Sequence, residues 1–328
     1  MLRSMLVIFI LILSIPFAAN AAEQPEKGTL SIVYENDIFH SDSYYTNGFR
    51  VSWLSKPGVK SDIAMRLATY FPIFPADATV LVNYAFGQNM YTPKDITLEN
   101  PPKDDRPYAG WLYGSVGLIA ETGRQLDQID FTFGMVGPAS LGEETQKFVH
   151  KKIGSPEPKG WDGQLKNEPG FLVTYLRSWR SEIADTFLGM PYDITPHAGA
   201  TFGNVFTYAN AGATFRYGKE LPLDYGSPRV QPSLPGSGYF KAEKGFSWYL
   251  FAGAEGRAVA HNIFLDGNTL EDSGRVKKRY FVGDIQSGVV LTLNNIRLSY
   301  THVLRTQEFK TQDSHYQAFR TLSLSMQF

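Results

Sequence analysis

Glu35, Asn36 and Asp37 stand in a row at the end of one alternating segment, and Thr46 opens the next. Strict alternation turns Glu35, Asp37 and Thr46 to one side of the chain and Asn36 to the other. Carboxylates and a hydroxyl on adjoining positions of one face can hold a hard cation through oxygen ligands. The polar lining of a barrel lumen, with Asn47-Gly48 as a turn signal, gives the same pattern. His150 is the second candidate. Of the six histidines (His40, His150, His197, His261, His302 and His315), it alone falls on a capped helix inserted between strand-like segments. A neutral imidazole on the polar side of that helix can act as a general base. A solvated surface histidine is the plain alternative.

Sharper enzyme signatures are missing. The chain has no G-x-S-x-G elbow, no H-E-x-x-H, no P-loop, no Rossmann glycine pattern and no EF-hand loop. It has no cysteine, which excludes disulfides, thiol catalysis and cysteine-ligated metals. Lys plus Arg is 31 and Asp plus Glu is 32, so nothing in the charge balance suggests a polyanion partner. Lys151, Lys152, Lys159 and Lys166 lie in or near the helix and the loop after it, where they can meet sugar phosphates or simply be solvated.

The elements that must position these groups read as strands. Period-2 alternation recurs over Leu30–Asp37, Thr46–Trp53, Thr79–Tyr91, Tyr108–Glu121, Gln128–Met135, Gly170–Glu182, Tyr192–Phe202, Val205–Tyr217, Phe246–Val259, Arg279–Leu293, Asn295–Thr301 and Leu322–Phe328. Several of these segments reach about 10 residues, the length a tilted strand needs to cross a bilayer, whereas soluble strands average about 5–6. Aromatic residues make up 14% of the chain and gather toward segment ends, as interfacial girdles require. The expected fold is an all-β, single-domain transmembrane antiparallel barrel of about twelve strands. Both termini are expected on the periplasmic side, and Leu30, Ile32, Tyr34, Ile129, Phe131, Phe133, Leu324 and Met326 on the lipid face. Strand edges are not tolerated in lipid, so the sheet must close.

One segment breaks the pattern. Ser140-Leu141-Gly142-Glu143 reads as a capping box, which predicts a helix over Leu141–Ile153 ended by Gly154. Leu141, Phe148 and Val149 give it an apolar side; Glu143, Gln146, Lys147 and His150 give it a polar one. The Pro/Gly-rich stretches Lys94–Arg106, Ser155–Glu168 and Lys219–Lys244 read as long loops on the outer face.

At the N-terminus, Arg3, the apolar run Leu6–Ile15, Pro16 and Ala19-Asn20-Ala21 form a secretory signal over residues 1–21, leaving a barrel domain over 22–328. The last alternating strand ends in Phe328. A terminal aromatic there resembles the sorting signal that outer-membrane assembly machinery reads in Gram-negative barrels.

Taken as an ordered set, several short motifs go further. They are Tyr34-Glu35-Asn36-Asp37, Tyr45-Thr46-Asn47-Gly48, Asp105-Arg106-Pro107-Tyr108-Ala109-Gly110-Trp111, Gly137-Pro138 with the His150 helix, and Gly160-Trp161-Asp162-Gly163-Gln164-Leu165. The set resembles the lipid A 3′-O-deacylase (LpxR-like) family over essentially the whole chain after the signal. The resemblance implies an outer-membrane esterase that hydrolyses the 3′-linked acyloxyacyl ester of lipid A near the outer end of the barrel, with Ca²⁺ as cofactor. It places the catalytic His on His150 and supporting roles on Asn36 and Thr46. Asp37 becomes a calcium ligand, with Glu157 as a second; Lys151, Lys152 and Arg106 become substrate-binding groups. The family glutamate six residues after the histidine falls here on Pro156, one place before Glu157.

Two other classes stay open. A non-enzymatic barrel, a small channel or a structural protein, would use the same lumen lining. An outer-membrane phospholipase would need a serine near His150, with Ser115, Ser140 and Ser178 as candidates. The sorting signal is directly testable. Deleting Phe328 should lower the heat-modifiable, membrane-assembled fraction on gels while processing after Ala21 continues; unaltered assembly would remove that role for Phe328.

Overall fold

The computed structural model describes residues 28–37, 44–56, 74–181, 186–230, 238–241 and 244–328, so the expected signal segment lies outside the described residues. The strands are β1 (Thr29–Asn36), β2 (Tyr44–Leu54), β3 (Thr79–Thr92), β4 (Ala109–Glu121), β5 (Gln125–Val136), β6 (Glu168–Trp179), β7 (Thr186–Phe187), β8 (Met190–Gly203), β9 (Phe206–Lys219), β10 (Phe246–Asn262), β11 (Phe281–Leu293), β12 (Ile296–Thr306) and β13 (Tyr316–Gln327). Among the described residues two α-helices join them, α1 (Gly142–Ile153) and α2 (Ile263–Asp266). Each long strand pairs antiparallel with its sequence neighbours, β6 pairs with β8, and β13 returns to pair with β1 from Thr29↔Gln327 to Asn36↔Arg320. Twelve strands therefore close a barrel, as expected. The thirteenth, β7, is a two-residue partner of β8 that the alternation did not announce. Among the described residues no helix is long and apolar enough to cross a membrane.

Closure splits every strand into two rows. Inward positions include a set of small polar residues: Ser31, Ser299, Ser323, Ser325 and Thr321 are all buried. Outward positions carry the exposed aromatic side chains, with Phe86, Phe133 and Phe171 across neighbouring strands at 55%, 57% and 37% exposure. Phe131, Leu324 and Met326 are half-buried on the same outer face. Ile129 also faces out but is covered by Leu118, with Phe74, Val80 and Val82 packed around the pair.

Both termini sit at one end, where Thr29 lies between Gln327 and Leu54. The opposite, far end carries α1, α2 and the two loops around Lys94–Arg106 and Ser155–Glu168, matching their expected common side. The third long loop does not join them. Strand β9 runs from the far end to Lys219 at the end with the termini, and the chain then turns back into the lumen. Asp224 receives Arg216, Arg297 and the Tyr249 hydroxyl; Ser227 meets Ser299 and Ser323. Arg229 reaches Glu35 at 2.6 Å and Gln286 at 2.8 Å, high on the inner wall. The expectation of an outer loop over Lys219–Lys244 is thus corrected. Its Arg and Asp side chains complete ion pairs that the lumen wall presents unsatisfied, and a buried lone charge is far costlier than a paired one.

The far mouth is filled as well. Phe264 of α2 stacks on Tyr91 with ring centroids 4.0 Å apart, above Trp111, Tyr113, Phe206 and Phe319. Between these two fillings lies an enclosed cavity of about 80 Å³, lined by Arg50, Asn83, Ser115, Asp130, Thr132 and Thr174 among others. A wide aqueous channel has no room here. The two faces should answer substitution differently. Phe133→Arg, on the outer face, should cost about 2–4 kcal/mol near mid-membrane. Thr132→Arg, one residue away in the lumen, should cost less in urea-refolding titrations; equal losses would contradict this assignment of faces.

Candidate active site

The site begins with a glycine. Gly110 lies on the outward row of β4, between buried Ala109 and lumen-facing Trp111. A Cβ at Gly110 would run into the Ser140 hydroxyl and come within 3.3 Å of Gly142 Cα. The chain after β5 can therefore lie directly on the outer wall. Gln88, also outward, donates to the Ser140 carbonyl at 2.7 Å, and the Gly137 amide donates to the Gly110 carbonyl at 3.1 Å. These contacts seat α1 outside the barrel, against β3 and β4.

The start of α1 differs from the capping box. Ser140 ends a 3-10 turn over Pro138–Ser140, and its hydroxyl donates to the Gly137 carbonyl at 2.6 Å. Leu141, in left-handed conformation at φ 58°, is the N-cap, and Glu143 pairs with Lys147 at 2.6 Å instead of closing a box. The serine is spent because it fills the space above Gly110. The C-terminal signal holds: Gly154 adopts φ 72°, and its amide caps the His150 carbonyl.

The helix buries its polar stripe. Gly142, Gln146 and His150 face the wall, while Phe148 is 63% and Leu141 51% exposed. Gln146 accepts the Trp161 indole N–H at 2.8 Å, and Trp161 packs on Tyr108, Met90 and Ile96. The Leu165 amide donates to the Tyr108 carbonyl, and the Tyr108 hydroxyl to the Ile96 carbonyl. The tryptophan and tyrosine motifs of the sequence are thus the mortar between α1 and the wall.

His150 itself is 5% exposed. Its Nδ1 lies 2.5 Å from the Pro156 carbonyl oxygen. A carbonyl only accepts, so Nδ1 carries the proton, and in a neutral ring the basic nitrogen is then Nε2. This is the tautomer a general base needs. The residue that displaces the family glutamate therefore orients the histidine through its backbone. Sequence reasoning compared side chains at that position and had no signal for a carbonyl.

Asn36 belongs to the same wall. The ladder places Asn36 opposite Asn47, Asn47 opposite Met90, and Met90 opposite Gly110, one outward row across four strands. Asn36 Nδ2 donates to the Thr46 carbonyl at 3.0 Å. Thr46 is the bulged residue of β2, where the register against β3 shifts between Tyr45 and Asn47. Its hydroxyl meets that of Thr92 at 2.7 Å, on the Met90 side of β3, rather than pointing into the lumen as alternation required. The bulge is the reason: one extra residue reverses the parity beyond it. Glu35 keeps the expected lumen position, held by Arg229, Thr321 and the Tyr45 hydroxyl at 2.9 Å. Asp37 follows the end of β1 and is 2% exposed.

Glu157 is exposed and lines an outer cleft with Lys147, Lys159 and Asp162. Among the described residues no group of three or more His, Asp or Glu side chains gathers into a metal cluster. Arg106 is 1% exposed; it pairs with Glu308 at 3.2 Å and lies 5.1 Å over the Tyr91 ring. Burial opposes ionisation of Glu308, yet Arg106, Arg305 and Arg257 hold its pKa below the ordinary glutamate value. Arg106 thus serves the packing of the far mouth. Lys151 and Lys152 are exposed on α1. Ser115 lines the lumen cavity, and Ser178 is buried in the lumen row near the opposite end.

The fold and this outer-wall niche define a class: a small outer-membrane β-barrel, filled rather than open, with a helix seated against its outer surface at one rim. The chain belongs to the family of the outer membrane protein LpxR, whose family profile matches residues 5–328. The structure of LpxR from Salmonella typhimurium superposes with a TM-score of 0.74 at 22% identity, over 92% of this chain and 100% of that one. Looser barrel likenesses include the β domain of the Bordetella autotransporter BrkA (TM-score 0.43, 10% identity, 93% and 100% covered). Another is the KdgM porin (TM-score 0.36, 5% identity, 92% and 99% covered). No curated protein matches the chain.

The seating of α1 is open to a direct test. Gly110→Val should push Ser140 and α1 off the wall, so that trypsin cuts at Lys147, Lys151 or Lys152 while the barrel stays heat-modifiable. Gly114→Ala is the control, because its Cβ would meet nothing closer than the Ala85 carbonyl at 3.8 Å. Equal protease resistance in both variants would show that the close approach at Gly110 does not hold the helix.

Proposed function

We propose that the chain is an outer-membrane esterase that removes the 3′-linked acyloxyacyl chain of lipid A. His150 acts as the general base on the outer wall of the barrel. The observation that carries this reading is the buried His150 ring, whose Nδ1 donates to the Pro156 carbonyl and so sets the tautomer in which Nε2 is the basic nitrogen. A site on the outer wall, rather than in the filled lumen, can take a lipid whose acyl chains stay in the leaflet. The substrate ester enters sideways, so its chains never have to leave hydrocarbon for water.

In the proposed reaction a water held by His150 Nε2 attacks the ester carbonyl, and the imidazole accepts its proton. The C–O bond to the sugar then breaks, and the proton passes from His150 to the departing 3′-oxygen. Asn36 and Thr46, placed by the end of β1 and the bulge of β2, orient the ester. Asp37 would hold calcium, since a buried carboxylate offers the oxygen ligands that Ca²⁺ prefers. Bound there, the cation supplies stabilisation of the negative charge that develops on the ester oxygen. Glu157, exposed in the outer cleft, fits that donor set less well than Asp37. Lys151 and Lys152 would meet the phosphates of the substrate.

A serine esterase on this frame would need Ser140, whose hydroxyl is already given to Gly137. Ser115 and Ser178 face the lumen, on the wrong side of the wall. The deciding measurement is mass spectrometry of lipid A from cells making each variant. His150→Ala and Asp37→Ala should each abolish 3′-deacylation with the barrel still heat-modifiable, because general-base assistance alone contributes about 10²–10⁴-fold. Chelation should silence the purified wild type, and Ca²⁺ should restore it but not Asp37→Ala. Loss of activity in Ser115→Ala or Ser140→Ala with His150→Ala still active would replace this mechanism with a serine one.

A further inference from the structure

The ladders of β1 to β2 and β13 both end at Asn36, paired with Asn47 and Arg320, and Asp37 follows just past them. A strand end of this kind opens more readily than the strand centre. One residue back, on the inner row, Glu35 is tied to three other elements. Its Oε1 accepts from Arg229 Nε at 2.6 Å, the Thr321 hydroxyl at 2.9 Å and the Val230 amide at 3.2 Å. Its Oε2 accepts from the Tyr45 hydroxyl at 2.9 Å. Bonds to a carboxylate are the strong ones, and this carboxylate is fully buried.

The partners are placed as carefully as the carboxylate. Tyr45 precedes the bulged Thr46, as Glu35 precedes Asn36, so one hydrogen bond joins the inner neighbours of two outer-wall residues. Gly48 makes room for it, because a Cβ there would run into the Tyr45 hydroxyl and come within 3.3 Å of Val230. The Tyr45 ring meets Phe319 edge-on at 5.2 Å. Arg229 lies 5.6 Å over the same ring and donates to Gln286 at 2.8 Å. All three side chains lie inside the wall, so their effect on chemistry outside passes through the backbone.

We propose that Glu35, Tyr45 and Arg229 are positioning residues for the reaction: the returning segment sets the outer-wall site from inside the barrel. The inference rests on the esterase reading of that site. His150 is held separately, by α1 and the Pro156 carbonyl. The inner clamp therefore governs where Asn36, Asp37 and Thr46 stand relative to the histidine. A shift of about 1 Å between such groups can cost about a hundredfold in rate.

Tyr45→Phe is the sharp test, since it removes the hydroxyl and keeps the ring. Its matched control is Tyr249→Phe, which deletes a like bond, from the Tyr249 hydroxyl to Asp224 at 2.9 Å, toward the end with the termini. With the folded barrel and lipid A in detergent micelles, Tyr45→Phe should lower kcat about tenfold to a hundredfold and leave KM little changed. Tyr249→Phe should keep kcat near the wild type. Arg229→Lys, which keeps a cation on Glu35, should retain more turnover than Arg229→Ala; where the alanine variant does not fold, Tyr45→Phe and Arg229→Lys carry the test. Amide hydrogen exchange, read by mass spectrometry, should speed up over residues 34–37 and 44–47 in Tyr45→Phe but not in Tyr249→Phe. Equal kcat losses in the two tyrosine variants, or an unchanged kcat in Tyr45→Phe, would overturn the proposal. A wild type that leaves lipid A intact would overturn the esterase reading instead, and the exchange rates would then decide the clamp on their own.

Discussion

A backbone N–H or C=O facing hydrocarbon has no water to turn to, and each unpaired group costs several kcal/mol. Everything else in this molecule follows from satisfying that demand by joining β1 to β13. Closure makes an inside, and the inside of a twelve-stranded barrel is wider than the eight-stranded one that wall side chains alone can fill. The returning segment after β9 and the short α2 take up the difference, one from each end. Because the wall offers Glu35, Asp193 and Asp284 inward, the fillers and neighbouring strands answer with Arg229, Arg216, Arg257 and Arg305. Those pairs contribute less to net stability than their number suggests, since desolvation offsets much of the attraction. Their effect is to fix which filler position meets which strand.

That filling decides where chemistry can happen. With the lumen occupied, the strands can serve a lipid only on their outer side, and the chain uses both sides of β1 at once. Glu35 turns inward to Arg229 and Tyr45, which brace the strand from within; Asn36 turns outward into the row shared with Asn47, Met90 and Gly110. The bulge at Thr46 lets Tyr45 stay in the aromatic core of the barrel while Thr46 joins the outer wall. Regular alternation would have forced one of them to the wrong face.

The strands were legible because alternation and length are local: each of the twelve expected segments lies on an observed strand, and the inserted helix ends at Gly154 where a left-handed residue was required. Three features were not legible, for different reasons. The parity of Thr46 depends on a bulge against β3, a partner that the local pattern does not name. The side on which Lys219–Lys244 lies follows from counting strands from the terminus, whereas its Pro and Gly content says only that it is not a strand. Arg106 looked like a rim cation because it adjoins exposed prolines and aspartates. Its burial follows from Glu308 and Tyr91, which are distant in sequence.

The histidine carries the same lesson in its sharpest form. A residue-by-residue comparison weighs side chains, and by that measure Pro156 removes a functional group. In three dimensions it supplies one: proline fixes φ near −65° and has no amide N–H to direct elsewhere, so the loop after Gly154 offers its carbonyl to His150 Nδ1 in a confined geometry. The Ser155 amide returns to the His150 carbonyl, closing the loop on the residue it serves. An uncharged acceptor can set the tautomer as well as a carboxylate can, because what fixes the proton on Nδ1 is the lone pair it meets and not a full negative charge. The carboxylate that follows, Glu157, is then free to stand in solvent, where its charge faces Lys147 and Lys159 across the cleft. The orienting contact comes from a backbone oxygen, and the charge stands on the next residue along.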